Sequence, residues 1–241
     1  MKIDILTLFP NMFDGFLNES IIKRAIEKDV VKINIVNFRN YSKLNNSQVD
    51  DTPYGGGAGM VLMCDPIVSA IEDLKSDDTT VILMTPQGIP YKQKTARELK
   101  LKKHLILICG HYEGFDERIR NFVDMEISIG DYVLTGGEIP SMIVADSVIR
   151  LLGQAIKQES HEDDSFSNGL LEYPQYTRPL EYNGMVVPEV LVNGNHKLIN
   201  RFRRKESLRK TYLRRPDLLE KFEFTKEDKQ LMNEISEEEN R

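Results

Sequence analysis

The sequence predicts an α/β fold in which a mostly parallel sheet is flanked by helices, followed by a small helical C-terminal domain. Strand-like apolar runs alternate with amphipathic segments over residues 2–152, as they do in α/β proteins. Two of the runs, 80–84 and 105–109, are apolar almost throughout, which is typical of strands buried on both faces of a parallel sheet. Beyond residue 173 helical patterns predominate.

The chain opens with a β-α-β unit. Residues 2–8 and 31–37 have the β-branched and alternating character of strands, and the amphipathic segment 13–28 between them predicts a helix. Because two strands joined through a helix run in the same direction, this unit predicts a parallel pair.

Further alternating elements follow in order. Helix, strand, helix and strand are predicted at 65–74, 80–84, 91–101 and 105–109. A short helix-like run, a strand at 125–129 and a helix at 139–152 with Pro140 in its first turn complete this part. The pattern alone predicts a doubly wound sheet with right-handed crossovers.

The composition changes near residue 158. Residues 158–172 are rich in Glu, Asp, Ser and Asn and contain five acidic residues, which predicts an exposed linker. Helices are predicted beyond it at 196–208, 216–221 and 225–235. We therefore expect a first domain at 1–157, a linker at 158–173 and a helical domain at 174–241.

Composition and charge argue against several classes of protein. The 241 residues are 40% hydrophobic, and no apolar run approaches membrane-spanning length, so we expect a cytoplasmic protein. Cys64 and Cys109 lie far apart, and the four histidines lack metal-ligand spacing, which predicts free thiols and no structural metal. A net charge of −6 argues against indiscriminate binding to nucleic acid.

Basic residues are nevertheless concentrated in one segment. Residues 197–215 contain nine Lys or Arg and one acid, Glu206, whereas 217–241 contain nine acids and four bases. A solvated helix face is one interpretation. Local RNA binding is the interpretation we favour, because Phe202 and Tyr212 stand among the cations and unpaired bases stack on aromatic rings and guanidinium planes.

Two glycine-containing loops follow predicted strands, at 110–114 and 130–137. Each could be only a tight turn. Ligands of α/β proteins bind at the C-terminal ends of the strands, however, and glycine leaves backbone N–H and C=O groups accessible there. The sequence therefore predicts a ligand pocket between the two loops.

A third glycine cluster lies at 50–60, Asp-Asp-Thr-Pro-Tyr-Gly-Gly-Gly-Ala-Gly-Met. It lacks the Gly-Lys-Ser/Thr of a P-loop, and Met60 stands where the dinucleotide-binding motif needs glycine. Nucleotide hydrolysis is therefore disfavoured, and a flexible surface loop remains an alternative.

The strings Gly-His-Tyr-Glu-Gly at 110–114 and Ile-Gly-Asp-Tyr-Val-Leu-Thr-Gly-Gly-Glu at 129–138 are specific. With the string at 50–57 they resemble the bacterial tRNA (guanine-N1) methyltransferase (TrmD) family, over nearly the whole chain. The resemblance implies a SPOUT-class trefoil knot formed by residues 85–88, 110–114 and 129–137. It also implies a homodimer that uses S-adenosylmethionine to methylate the guanosine 3′-adjacent to the anticodon, position 37 of tRNA.

The resemblance implies a role for each site residue. Asp164, supplied by the partner subunit, would remove the N1 proton. From the sequence alone, His161 in the same segment is a rival base. Arg150 would stabilise negative charge on guanine, although a helix-dipole role is equally compatible with its position. Apart from the resemblance, the position of Glu113 in the predicted pocket would suit a cationic sulfonium or an assisting Mg²⁺ ion, and a capping or solvated glutamate is the alternative.

The residues implied in binding form two sets. Those for the cofactor are Met84, Thr85, Pro86, Gln87, Gly88, Gly110, Tyr112, Glu113, Gly114, Ile129, Gly130, Asp131, Tyr132, Val133, Leu134, Gly136 and Gly137. Those for tRNA are Asp51, Tyr54, Gly56 and Gly57, from the resemblance, and Arg201, Arg203, Arg204, Arg209 and Arg214, from the basic segment.

The chain departs from the family pattern in two places. Leu-Leu-Gly-Gln-Ala-Ile follows Arg150, where the family continues with an apolar pair and Pro-Gly-Val-Leu-Gly, and His111 stands where an Arg is often found. Two alternative functions stay open: a non-catalytic RNA-binding module, and a SPOUT methyltransferase with a different RNA target.

Overall fold

The structure is a computed structural model that describes residues 1–153, 165–166 and 168–240. The chain divides into two compact units, Met1–Gln158 and Glu159–Arg241. Asp164 and its rival His161 lie outside the described residues. The predicted boundaries of the linker, 158 and 173, stay a prediction.

The first unit alternates strands and helices as predicted. Its strands are β1 (Lys2–Thr7), β2 (Lys32–Asn37), β3 (Asp50–Asp51), β4 (Val61–Leu62), β5 (Thr79–Pro90), β6 (His104–Ile108) and β7 (Met125–Ser128). Its helices are α1 (Asp14–Asn18), α2 (Ser20–Glu27), α3 (Cys64–Leu74), α4 (Gln93–Leu99) and α5 (Glu138–Arg150).

Five strands form one sheet in the order β2-β1-β6-β5-β7, and every neighbouring pair is parallel. Alternate residues of the inner strands face opposite layers: Ile82 packs with α2, α4 and α5, and Leu83 packs with α3. Both residues are fully buried, because helices cover both faces of the sheet. The predicted α/β class, with a mostly parallel sheet between helices, is confirmed.

Some predicted boundaries are wrong for identifiable reasons. The helix predicted at 13–28 is interrupted where Glu19 is extended, so α1 and α2 are separate. The strand predicted at 80–84 continues to Pro90, because β5 pairs again with β7 at Ile89 after an irregularity. The helix predicted at 91–101 therefore begins only at Gln93, and the Tyr91 N–H bonds to the Ser128 carbonyl (2.8 Å).

The irregular part of β5, residues 85–88, lies close to β7. A Cβ atom added to Gly88 would be 2.4 Å from the Ile127 nitrogen, so only glycine allows the two backbones to approach this closely. The chain also passes from β6, on one side of β5, to β7 on the other. The trefoil knot implied by the resemblance stays a prediction.

The second unit is mainly helical. Its described residues include a short hairpin, β8 (Glu181–Tyr182) with β9 (Met185–Val186), and the α-helices α6 (His196–Arg214) and α7 (Lys226–Glu239). Leu170, Leu208, Leu231 and Ile235 are fully buried together and form its core. The two-residue strands β3, β4, β8 and β9 are too short for a periodic signal, and the sequence did not predict them.

Three helix predictions of the second unit also differ from the structure, and one of them is the helix predicted at 225–235, which extends to Glu239. α6 extends to Arg214, beyond the predicted end at 208, and the helix predicted at 216–221 is a 3-10 helix, Pro216–Leu219. Among the described residues, no helix is both long and apolar enough to cross a membrane.

Candidate active site

The two predicted glycine loops meet at the C-terminal end of the sheet. The Gly137 N–H donates to the Gly110 carbonyl oxygen (2.9 Å), which ties the loop after β7 to the loop after β6. A Cβ atom added to Gly137 would lie 2.6 Å from Cys109 Cα and 2.7 Å from Gly110 N. The contact is between two backbones, so no side chain can move aside to make room.

A cavity of about 300 Å³ opens between these loops. All but three of the residues predicted to bind the cofactor line it; Gln87, Gly88 and Asp131 do not. Gln87 instead accepts a hydrogen bond from Arg120 Nη2 (2.6 Å). Sequence reasoning missed six lining residues: His111, Phe115, Ile127, Ser128, Thr135 and Pro140.

Beneath the pocket, the buried Glu138 carboxylate joins three parts of the chain. Its Oε1 accepts from Thr7 Oγ1 (2.6 Å), at the end of β1, and its Oε2 lies 2.9 Å from His111 Nε2 in the first glycine loop. Glu138 is itself the first residue of α5, where a negative charge is favoured by the helix dipole. The acid therefore fixes the His111 ring at the pocket wall.

Glu113 links the pocket to the glycine cluster at 50–60. Its backbone N–H donates to the Met60 carbonyl oxygen (3.0 Å), and a Cβ added to Gly59 would be 2.5 Å from its side chain. Glu113 is the one carboxylate among the described residues that line the pocket. The Tyr54 side chain, earlier in the same cluster, is fully exposed.

Arg150 lies at the opposite end of α5 from the pocket. It is the last residue of the helix, whereas Gly137, the residue before the helix, lines the pocket. Twelve residues at 1.5 Å each separate Glu138 and Arg150 by roughly 18 Å along the axis. Burial raises the pKa of Asp146 on the same helix, and the Arg150 charge acts in the opposite direction.

Neither cysteine has the character of a nucleophile. Both are free thiols, as the sequence predicted. Burial raises the pKa of Cys109 well above its usual range, and its Sγ lies 3.1 Å from Ser141 Oγ. Burial and the neighbouring Asp116 raise the pKa of Cys64 to about 11.

Most arginines predicted to bind tRNA have acidic partners in the second unit. Arg204 makes a bidentate pair with the buried Asp228 of α7 (2.7 and 2.9 Å). Arg201 pairs with Glu234, and Arg209 pairs with Glu206, Glu238 and Glu239.

Arg203 and Arg214 differ from these three arginines. The Arg203 guanidinium lies over the Tyr173 ring, 4.9 Å from the ring centroid, and Arg214 is exposed.

Comparison with known proteins gives consistent matches. Residues 1–221 match the family model described as tRNA (Guanine-1)-methyltransferase TrmD. The chain is 57% identical over 237 residues to the tRNA (guanine-N(1)-)-methyltransferase of Macrococcus caseolyticus (strain JCSC5402), covering 98% of each chain. It is 55% identical to that of Staphylococcus carnosus (strain TM300) and 56% to that of Staphylococcus aureus (strain JH9), in each case over 235 residues and 96% of both chains.

Proposed function

Because the chain belongs to the tRNA (guanine-1)-methyltransferase family, we propose that it methylates N1 of the guanosine 3′-adjacent to the anticodon, position 37 of tRNA. That it is an enzyme of the tRNA (guanine-N1) methyltransferase class follows from the family match and from relatives at 55–57% identity. Membership of this family also implies S-adenosylmethionine as the methyl donor. A cytoplasmic location is part of the proposal and rests on the tRNA substrate.

The single observation that carries the proposal is the pocket between the glycine loops. Its wall is formed by the ends of three parallel strands, where backbone groups can recognise the edge of an adenine without a charged side chain. A Cβ at Gly110 would be 2.6 Å from the Phe115 ring, so glycine allows this ring to pack against the backbone of the pocket wall. These features fit S-adenosylmethionine, which supplies an electrophilic methyl group on a positively charged sulfur.

Catalysis needs a base, because the lone pair of guanine N1 is unavailable until its proton leaves. We assign this role to Asp164, which lies outside the described residues. Arg150 would offset the negative charge that develops on the ring as the proton is removed. Glu113, the single acid of the described lining, would favour a nearby positive charge, either the sulfonium or Mg²⁺.

A homodimer would complete the site. Arg150 lies roughly 18 Å along α5 from the start of the helix, too far to act in the pocket of its own chain. Phe9, Met12, Ile139 and Ile143, near the start of α5 and the end of β1, each expose 40–48% of their surface, which supports an apolar interface at this end of the unit. We propose that the partner subunit supplies both Arg150 and Asp164.

Two regions would hold the tRNA. The loop with Asp51, Tyr54, Gly56 and Gly57 adjoins the pocket through Glu113 and would place the target base. The arginines of α6, Arg201, Arg203, Arg204, Arg209 and Arg214, would contact phosphates. The acidic partners of three of them reduce the charge that they offer.

Methyl transfer to two tRNA transcripts tests the proposal. The transcripts differ only in carrying guanosine or adenosine after the anticodon, and labelled S-adenosylmethionine is the donor. We expect incorporation into the guanosine transcript alone, and a loss of at least about a hundredfold in Asp164→Ala, since general bases contribute on that order or more. The donor should bind the variant with unchanged affinity.

The same assay separates the two alternatives. A non-catalytic RNA-binding module would bind both transcripts and methylate neither. A methyltransferase with another target would give a methylated nucleoside other than 1-methylguanosine, which nucleoside analysis of the digested RNA identifies.

A further inference from the structure

The second unit contains two adjoining cavities that are separate from the methyl-transfer pocket. One has a volume of about 600 Å³ and is lined largely by aromatic, aliphatic and proline side chains, with Arg178 and Arg203. The other, of about 360 Å³, is lined by polar residues that include Asn168, Asn200 and Ser207. Tyr173 and Arg203 line both, so they form the boundary between the two cavities.

Arg203 is the charged group at this boundary. Its guanidinium stacks on Tyr173, and its Nε is buried without a hydrogen-bond partner among the residues that the structure describes. A buried donor without an acceptor is unfavourable, so a ligand oxygen that accepts from it would be stabilised. Arg203 is thus oriented by the protein and retains a donor for a ligand.

The charges around the cavities select an anionic ligand. Within the described part of the chain, the lining of neither cavity includes an Asp or a Glu. Arg201 and Arg209, on the same helix, are instead paired with acids of α7. Arg204, which lines the smaller cavity, is likewise paired with Asp228. Arg178 and Arg203 are therefore the charged residues in the described lining of the larger cavity, and that lining contains no carboxylate.

We propose that the two cavities form a subsite for one unpaired nucleotide of the tRNA. The base would lie in the larger cavity against Tyr176, which is 48% exposed, and the phosphate would accept hydrogen bonds from Arg203 and Asn200. Stacking on an aromatic ring combined with an arginine contact to phosphate is how proteins bind single-stranded RNA. The proposal rests on the proposed function, which makes tRNA the partner.

Equilibrium binding of tRNA to the full chain tests the subsite without requiring methyl transfer. Tyr176→Ala should weaken tRNA binding about tenfold, and Tyr176→Phe should bind nearly as the original chain does, because stacking needs the ring and not the hydroxyl. Arg203→Gln should weaken binding to a similar extent and reduce the slope of log affinity against log salt by about one, since one phosphate contact is lost.

A matched control is Lys229→Ala, which removes one positive charge from an exposed position of α7 outside both cavities. It should leave the tRNA dissociation constant within about twofold of the original. All variants should retain their affinity for S-adenosylmethionine, and Tyr176→Ala should keep its unfolding temperature because its ring is half exposed.

Two results would contradict the proposed subsite. One is that Tyr176→Ala binds tRNA as tightly as the original chain, and the other is that Lys229→Ala weakens tRNA binding as much as Tyr176→Ala does. Failure of the proposed function looks different. In that case the original chain would bind tRNA but form no 1-methylguanosine, whatever the cavity variants do. A chain that methylates guanosine, with an unchanged KM for tRNA in Tyr176→Ala, would keep the function and exclude the subsite.

Discussion

Gly137 is the residue at which the two loops of the active site come closest. Replacing it with alanine would place a methyl group 2.6 Å from Cys109 Cα, and both sides of the contact are backbone. The loops would have to separate, so we expect a destabilisation of about 1–3 kcal/mol. We also expect at least about a tenfold loss of affinity for S-adenosylmethionine, because the pocket lies between the loops. Urea unfolding and calorimetric titration measure the two effects.

Gly15→Ala is the control for this substitution. Gly15 lies in α1 of the same unit, and no heavy atom lies within 4 Å of the Cβ position. Alanine there should be neutral or stabilising by up to about 1 kcal/mol, because glycine is the weaker helix former. Equal affinity for the donor in Gly137→Ala and Gly15→Ala would contradict the proposed packing of the loops.

At the residue scale, the sequence predicts the backbone of the site better than its supporting side chains. The glycine loops are recognisable because each follows a strand and carries a specific string. The hydrogen bonds of Glu138 with Thr7 and His111 join residues 131 and 27 positions apart, and no local pattern encodes such pairs. An acid in the first turn of a helix suggests at most a dipole interaction.

At the scale of elements, α6 and α7 are joined through one buried acid. Asp228 caps the N-terminus of α7 together with Thr225 and also pairs with Arg204 of α6. The Arg204 guanidinium lowers the pKa of Asp228 to about 2 from a usual 3.8. A carboxylate with a lowered pKa stabilises the fold above its unfolded pKa, and this contribution is lost as the pH falls through the folded value.

We therefore expect the unfolding temperature of the chain to fall between about pH 4 and pH 2, in part through protonation of Asp228. Asp228→Asn should lower stability at pH 7 by about 1 kcal/mol or more, because it weakens both the cap and the ion pair. Asp228→Asn should also make the fall in unfolding temperature between about pH 4 and pH 2 smaller. Calorimetry at a series of pH values measures both effects. Glu237→Gln, at an exposed position of the same helix, is the control. An equal effect of this substitution would show that protonation of Asp228 is not the cause of the loss of stability in acid.

Element types follow from the sequence more reliably than their ends. The inner strands β5 and β6 were predicted from a continuous apolar run, and β1 and β2 from β-branched, alternating residues. The helices predicted between the strands are consistent with the parallel order of the sheet. The division of residues 13–28 into α1 and α2 depends on the extended conformation of Glu19, which periodicity does not reveal. The end of β5 depends on its renewed pairing with β7, a contact remote in sequence.

At the scale of the whole molecule, the proposed homodimer places the pocket and the catalytic groups on different chains. Asp164 and Arg150 of one chain would serve the pocket of the other, so each inactive variant lacks only one half of a site. At a donor concentration well below the dissociation constant of its weakened pocket, a Gly137→Ala chain is inactive at its own site but retains Asp164. An Asp164→Ala chain lacks the base but retains its pocket.

Mixed dimers of these two variants should therefore recover activity. The pocket of the Asp164→Ala chain would be served by the Asp164 of its Gly137→Ala partner. Random exchange makes half of the dimers mixed, each with one competent site, so we expect about one quarter of the activity of the original enzyme.

Arg150→Ala mixed with Gly137→Ala should recover the same activity. Arg150→Ala mixed with Asp164→Ala should recover none, because the partner of every pocket then lacks either the base or the arginine. Recovery in neither of the first two mixtures, with exchange verified by differently tagged chains, would mean that each chain uses its own base and arginine.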